Sequence, residues 1–483
     1  TGADRRGRSW IRVMIHGALL KDAPLSPSPP LAQEPVTEPT LDLDRWRRRL
    51  SNELWGSVVP FWMEHSLDRE LGGYFNLLDR DGGRFGDDKH VWLQGRQVWM
   101  LSKLFGDGGD ERHLEAARLG AEFLREHAVG PDGRAYFQLR RDGVPVGIQR
   151  KIFSECFLVM GYAEYARASG DAAYRVLAHE LFDRVLALVD DPSPLGRPVL
   201  PGQRPSQDLA VPMILLNLVA ELRGAPGSDT FADRPDYDDI ERRCVARMLL
   251  HFDRERGLVR EQVAPDGTPI DSPEGRLLNP GHAVEAAWFL AEVAARAGDA
   301  GLEADAFAMM EGALDLGWDP EHGGLLYFLD ADGFSPTQLE WSMKLWWPHC
   351  EAMIGTLMAW RRTGEARWWE RCDRIAVYLG QRKIHASAAG PHLPDHVGVD
   401  RDLACSVIRC SGASAGSGRI LLLHGDLEPA RLIGHLGSQI YGVGPRLRCN
   451  VWIKVESLPD GMDIDQSSCF NRLLNEVLDL IDR

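Results

Sequence analysis

The sequence predicts an all-α toroid of stacked helix pairs with short β-hairpins gathered at one rim. Three observations predict it. Glycine-centred turn segments recur along the chain, the text between them is helical, and a lone pair of helices cannot bury its apolar face. The turns are Gly72-Gly73-Tyr74-Phe75, Gly133-Arg134-Ala135-Tyr136-Phe137, Leu195-Gly196-Arg197-Pro198, Glu255-Arg256-Gly257-Leu258 and Gly323-Gly324-Leu325-Leu326-Tyr327-Phe328. Glycines 73, 133, 196, 257 and 324 are separated by 60, 63, 61 and 67 residues, by subtraction of their positions. Such self-similarity marks a repeat architecture. An open α-solenoid is the competing geometry, but its repeats are shorter, roughly 34–47 residues, and lack hairpins of this kind.

Segments 44–61, 92–105, 112–127, 154–168, 174–189, 211–222, 237–252, 282–297 and 349–362 place apolar residues at helical spacing. Each unit reads as two helices plus a hairpin in which glycine permits the tight backbone. Two turns share a longer text. Asp68-Arg69-Glu70-Leu71-Gly72-Gly73, closing with Asp79-Arg80-Asp81-Gly82, echoes Asp319-Pro320-Glu321-His322-Gly323-Gly324, closing with Asp330-Ala331-Asp332-Gly333. A sixth hairpin is due near residue 390, yet 388–402 holds no glycine-aromatic strand pair. The expected organisation is a disordered Pro-rich lead-in (1–40), a helical barrel (41–383) and a divergent tail (384–483). The sixth repeat reads as lost or replaced.

The chain has 483 residues, 44% hydrophobic residues and a net charge of −16. That acidic balance argues against nucleic acid or an anionic membrane as partner. No apolar run approaches the ~18 residues of a membrane span. Eight cysteines show no CxxC pairing. Cys156, Cys244, Cys350 and Cys372 fall in or beside helical text, which suits buried thiols in a reducing cytoplasm. Cys405, Cys410, Cys449 and Cys469 match no common zinc-ligand spacing, so no metal is expected.

Three stretches carry candidate chemistry. In Asn279-Pro280-Gly281-His282-Ala283-Val284-Glu285, Asn279 is suited to cap a helix and Pro280 to its first position. His282 then lies in the first turn, where the helix dipole disfavours imidazolium and favours a neutral base near pH 7. Glu285 follows three residues on, on the same face, and is placed to orient the imidazole, to bind a substrate hydroxyl, or simply to pair with the histidine at the surface. A second cluster, Gln338 to Glu351, sets Trp341, Trp346 and Trp347 beside Lys344, His349 and Glu351. Aromatic faces and charged groups of this kind suit a sugar, and they equally suit a crowded helix junction. The third, Val91 to Trp99, places Trp92 and Arg96 on one helix face.

Trp92-Leu93-Gln94-Gly95-Arg96-Gln97-Val98-Trp99, Gln149-Arg150-Lys151-Ile152-Phe153-Ser154-Glu155-Cys156-Phe157, Ala210-Val211-Pro212-Met213, Asn279-Pro280-Gly281-His282 and Lys344-Leu345-Trp346-Trp347-Pro348-His349 closely resemble the N-acylglucosamine 2-epimerase (renin-binding protein) family. The resemblance runs over about residues 43–378. It implies an (α/α)6 barrel that interconverts N-acetylglucosamine and N-acetylmannosamine. It further implies His282 as one acid/base and Arg96 at the sugar, with Glu285 and Glu351 as site acids. Trp92, Glu155, Lys344 and Trp347 become lining residues. The resemblance also implies an amino-sugar substrate, a cytoplasmic homodimer, renin as a partner, and ATP or another nucleotide as allosteric activator, although no GxxxxGK(S/T) phosphate loop is present.

Inverting C2 of an open-chain aldose needs proton removal beside the C1 carbonyl, a stabilised enediolate and proton return from the opposite face. Two flanking groups are therefore expected, each contributing ~10²–10⁴ in rate, with a cation or donor at the oxyanion. No cofactor is needed for that chemistry. The family's second histidine sits in a Gly-x-Phe-His-x-Pro-Arg type segment, which does not occur after residue 380. Non-catalytic binding of renin, a catalytically impaired isoform, and a related aldose 2-epimerase or isomerase are the alternative readings. An (α/α)6 glycosidase would need two opposed carboxylates, whereas the best constellation here centres on a histidine.

Overall fold

The computed structural model describes residues 43–79, 81–196, 200–223 and 236–381. The lead-in, the tail and the position near residue 390 where a sixth hairpin falls due lie outside the described residues, as do Cys405, Cys410, Cys449 and Cys469. Helix α1 (Leu43–Glu53) runs through a π-helical turn at Leu54–Val58 into α2 (Val59–His65). Pairs follow: α3 (Val91–Gly106) with α4 (Glu111–His127), α5 (Phe153–Ser169) with α6 (Ala172–Asp190), and α7 (Ala210–Arg223) with α8 (Tyr237–Leu249). After a single turn, α9 (Pro273–Arg276), come α10 (Pro280–Ala297) with α11 (Ala300–Gly317) and α12 (Trp346–Thr363) with α13 (Ala366–Gln381). All nine expected segments carry helices. Helices α11 and α13 are additions, and α11 is masked in the sequence by Gly301, Gly312 and Gly317, which dilute its apolar period.

The first helix of each pair packs against its counterparts in the order α3, α5, α7, α10, α12. These five are buried almost all round, while α4, α6, α8, α11 and α13 keep an exposed face. A helix hydrophobic on every side belongs inside, and an amphipathic one covers it. The result, among the described residues, is an arc of five inner helices under five outer ones. At the outer layer the two ends meet, since the Trp46 indole N–H donates to Asp373 on α13 at 3.2 Å.

The two ends of the pairs are built differently. At one end an inner helix stops at a left-handed glycine (Gly170, Gly298 or Gly364, φ 65° to 74°) and the outer helix starts within three residues. Asp171 and Asp299 cap the new helix by accepting from Ala173, and from Gly301 and Leu302. Each such cap contributes ~1 kcal/mol. At the other end lie the hairpins, and short antiparallel pairs lace neighbouring units together. Lys89–His90 pairs Gln138–Leu139, Gln207–Asp208 pairs Gln262–Val263, and Leu277–Leu278 pairs Leu329–Asp330. The N-termini of the inner helices therefore gather at the hairpin rim.

All five repeat glycines have positive φ, between 64° and 80°. Four of the turns, at Gly73, Gly133, Gly257 and Gly324, also dock on the outer helix of the following unit. A Cβ on Gly73 would come within about 3.0 Å of Phe123 on α4, on Gly133 within 1.7 Å of Arg184 on α6, and on Gly324 within 2.5 Å of Tyr378 on α13. Gly312 of α11 faces the Gly257 carbonyl, which its own Cβ would approach to 2.1 Å. At four of the five positions the spacing of the glycines is thus the spacing of turn-on-helix contacts; among the described residues a Cβ on Gly196 would meet only the Arg150 side chain, at 4.0 Å.

Candidate active site

Close approaches between inner helices set the functional side chains. Helices α3 and α5 meet at Gly95 and Gly161, where a Cβ would come within 2.4 Å of the Phe157 carbonyl or 2.7 Å of the Gly95 carbonyl. That contact brings Phe157 over Arg96, whose guanidinium carbon lies 4.3 Å from the Phe157 ring centroid and 5.4 Å from that of Trp92. Arg96 and Trp92 are both partly buried. A guanidinium laid on aromatic faces is held by its π contacts.

The second approach joins α10 to α12. A Cβ on Gly281 would lie 2.6 Å from the Trp347 ring and 2.9 Å from Pro348, so only glycine lets the two N-terminal turns touch. Asn279 accepts from the His282 backbone N–H at 3.2 Å, and Pro280 occupies the first helical position. The His282 ring then lies 5.4 Å from the Trp347 ring, centroid to centroid, and Trp347 meets Tyr327 edge-on at 6.1 Å.

Three carboxylates surround this histidine. Both oxygens of Glu261 lie 3.0–3.1 Å from His282 Nδ1. Glu285 stands one turn along the same helix, and Glu351 faces it from α12, where one oxygen accepts from the Trp288 indole N–H at 2.8 Å. Burial works against the imidazolium, but Glu261, then Glu285 and Glu351, outweigh it and raise the pKa to about 9. This corrects the expectation of a neutral base. The weak positive end of one helix is overridden by three negative groups, and His282 rests protonated at pH 7.

Two expected lining residues hold contacts within the scaffold. Glu155 is fully buried, and its Oε1 accepts from Arg134 Nε at 2.8 Å and from the Ala135 backbone N–H at 3.0 Å. Lys344 donates to Asp319 at 2.7 Å, whose carboxylate also caps the backbone N–H groups of Glu321 and His322. Burial opposes that charge, yet the lysine and the two caps hold its pKa down at about 2. The first repeat contains the same device, with Lys89 on Asp68 at 2.9 Å and the N–H groups of Glu70 and Leu71 on the same carboxylate. The longer text shared by the two repeats is this clasp. His349 is likewise structural. Its Nε2 accepts from the Leu325 N–H at 2.8 Å, its Nδ1 meets the Leu345 carbonyl, and burial lowers its pKa to about 4.

The structure therefore forms two groups. His282, Glu285, Glu351 and Trp347 assemble around the start of α10, and Arg96 with Trp92 on α3. Glu261 is the residue that sequence reading missed. It stands 21 residues before His282, in Arg260-Glu261-Gln262, and the antiparallel bridge of Arg260 to Leu278, with the Glu261 N–H on the Leu277 carbonyl, brings it to the start of α10. Cys156, Cys244, Cys350 and Cys372 are free and buried. Among the described residues no three His, Cys, Asp or Glu side chains are grouped to hold a metal ion, and no helix is long and apolar enough to cross a membrane.

A family model described as N-acylglucosamine 2-epimerase (GlcNAc 2-epimerase) matches residues 73–390, ending twelve residues beyond the resemblance read from the motifs. The N-acylglucosamine 2-epimerase of Bos taurus is 48% identical over 349 residues, covering 70% of this chain and 81% of the bovine one. That of Homo sapiens is 45% identical, covering 70% and 79%. In fold, the chain resembles a cellobiose 2-epimerase from Bacillus thermoamylovorans, with TM-score 0.60, 18% identity and coverage of 71% and 89%. A D-mannose isomerase gives TM-score 0.59 at 16% identity, covering 72% and 88%.

Proposed function

This chain belongs to the N-acylglucosamine 2-epimerase family, and we propose that it interconverts N-acetylglucosamine and N-acetylmannosamine by moving the C2 proton. The observation that carries the reading is His282, fixed at a capped helix start against Trp347 and ringed by Glu261, Glu285 and Glu351. In the open-chain sugar the C2–H bond breaks, its electron pair forms the C1–C2 double bond, and the carbonyl oxygen takes the charge. A neutral His282 accepts the proton. Its imidazolium returns one to C2 in the reverse direction. Arg96 supplies a fixed positive charge for the oxyanion or a neighbouring hydroxyl, and Trp92 and Trp347 offer faces for C–H surfaces.

The test is incubation of the full chain with N-acetylglucosamine in deuterated water. The expected result is deuterium at C2 with formation of N-acetylmannosamine, and loss of both in His282→Asn. An unlabelled C2 under these conditions would remove the proposal. Nucleotide activation, a homodimer, a cytoplasmic site of action and renin binding rest on family resemblance alone. Titration of the exchange rate with ATP and sedimentation of the chain with and without renin test the proposals that concern binding.

A further inference from the structure

We infer that Glu261 is a positioning residue that holds the Nδ1–H of His282, leaving Nε2 as the nitrogen that exchanges a proton with C2. The inference rests on the epimerase reading for its substrate and on geometry for everything else. A carboxylate only accepts hydrogen bonds, so with both Glu261 oxygens at 3.0–3.1 Å the proton on Nδ1 is required in either charge state. The ring therefore alternates between imidazolium and one neutral tautomer, and the Glu261 contact persists through both.

Glu261 is built to stay in place. Its backbone carbonyl accepts from the Leu209 N–H at 3.0 Å, and its own N–H donates to the Leu277 carbonyl at 3.0 Å, so strands on both sides clamp it. His282 is clamped as well, by the Asn279 cap and by Trp347 across Gly281. A pair fixed at both backbones loses little freedom when it forms, which is how supporting contacts set ring orientation and basicity. The other charged groups facing the ring are Glu285 on its own helix and Glu351 on α12, both acids. Glu261 differs from them in its direct bond to Nδ1.

The proton balance is complete within this pair. Neutral His282 takes the C2 proton on Nε2 as the C–H electrons enter the enediolate, and Glu261 stabilises the new imidazolium without accepting its proton. On reversal, Nε2 gives the proton back to the same face.

Nitrogen-15 NMR of histidine-labelled full chain tests this directly, with His282→Asn assigning the signal. The expected neutral form carries its proton on Nδ1. In Glu261→Gln the ring should titrate at least one pH unit lower, about a tenfold higher ratio of neutral to charged ring at pH 8. The pH profile of C2 deuterium exchange should move by the same interval. Glu261→Asp, which keeps the charge, should restore the midpoint in large part and guards against a folding defect in the amide variant. A neutral His282 protonated on Nε2 in the unmodified chain, or a midpoint unmoved in Glu261→Gln, would overturn the inference. Exchange that persists in His282→Asn would instead overturn the epimerase reading, while the titration still judged Glu261.

Discussion

His282 makes the stability of the chain depend on pH. Its folded pKa of about 9 lies above the ordinary value of 6.5, so folding favours the bound proton. The associated stability is complete below about pH 6.5 and is lost as pH rises through 9. The difference corresponds to about 3 kcal/mol at ~1.4 kcal/mol per tenfold. Thermal unfolding of the unmodified chain should weaken between pH 6.5 and 9, and His282→Asn should lack that component. Gly281 gives a second prediction. Alanine there would place a Cβ 2.6 Å from the Trp347 ring, so Gly281→Ala should cost ~1–3 kcal/mol by overpacking and shift the tryptophan emission. What was legible at this scale was what is local. Asn279, Pro280 and His282 are consecutive text, and their cap geometry follows from residue type. Glu261 was not legible, because a strand pairing brings it from 21 residues away. The contacts of Glu155 and Lys344 with backbone turns and ion-pair partners were not legible, because a charged residue near aromatics looks the same in the text whether it faces a ligand or holds a turn.

At the scale of elements, three of the turns are closed from the first helical turns of inner helices, each by a different side chain. The Tyr74 N–H donates to Gln94, the Ala135 N–H to Glu155, and the Leu325 N–H to His349, at 2.8, 3.0 and 2.8 Å. Amide, carboxylate and imidazole all present an acceptor, so the physical role repeats while the letters do not. That is why glycine spacing revealed the units but the clasps beneath them stayed hidden. Replacing one of these acceptors leaves a buried N–H with no partner, at ~1–3 kcal/mol. His349→Leu should therefore cost ~2 kcal/mol of unfolding free energy, read as a lower urea midpoint. It should leave the His282 titration in place, because His349 is spent on Leu325 and Leu345. A loss of C2 exchange in a folded His349→Leu chain would show that the histidine reaches the sugar after all.

Over the described residues, the repeat predicted stacked helix pairs and the structure supplies the reason: four of the five turns dock on the outer helices of the units that follow them. The same scale decides how complete the chemistry is. Inversion at C2 needs proton transfer on two opposite faces, and one imidazole fixed by Glu261 and Trp347 serves one of them. The other described histidine on α12, His349, is fully engaged with backbone groups, and His90, buried at the start of α3, has its pKa lowered to about 4. Neither is suited to accept a carbon-bound proton near pH 7. The family's second-histidine segment has no counterpart in the text after residue 380. The expected outcome is thus an imbalance: in deuterated water, label should enter C2 of one epimer at least tenfold faster than the opposite epimer accumulates. Starting separately from N-acetylglucosamine and from N-acetylmannosamine identifies which face His282 serves, since His282→Asn should abolish exchange from that epimer. Equal rates of exchange and inversion would mean that a second group acts on the far face with the same efficiency as His282, and the search would move to His385, His392, His396, His424 and His435, replaced one at a time.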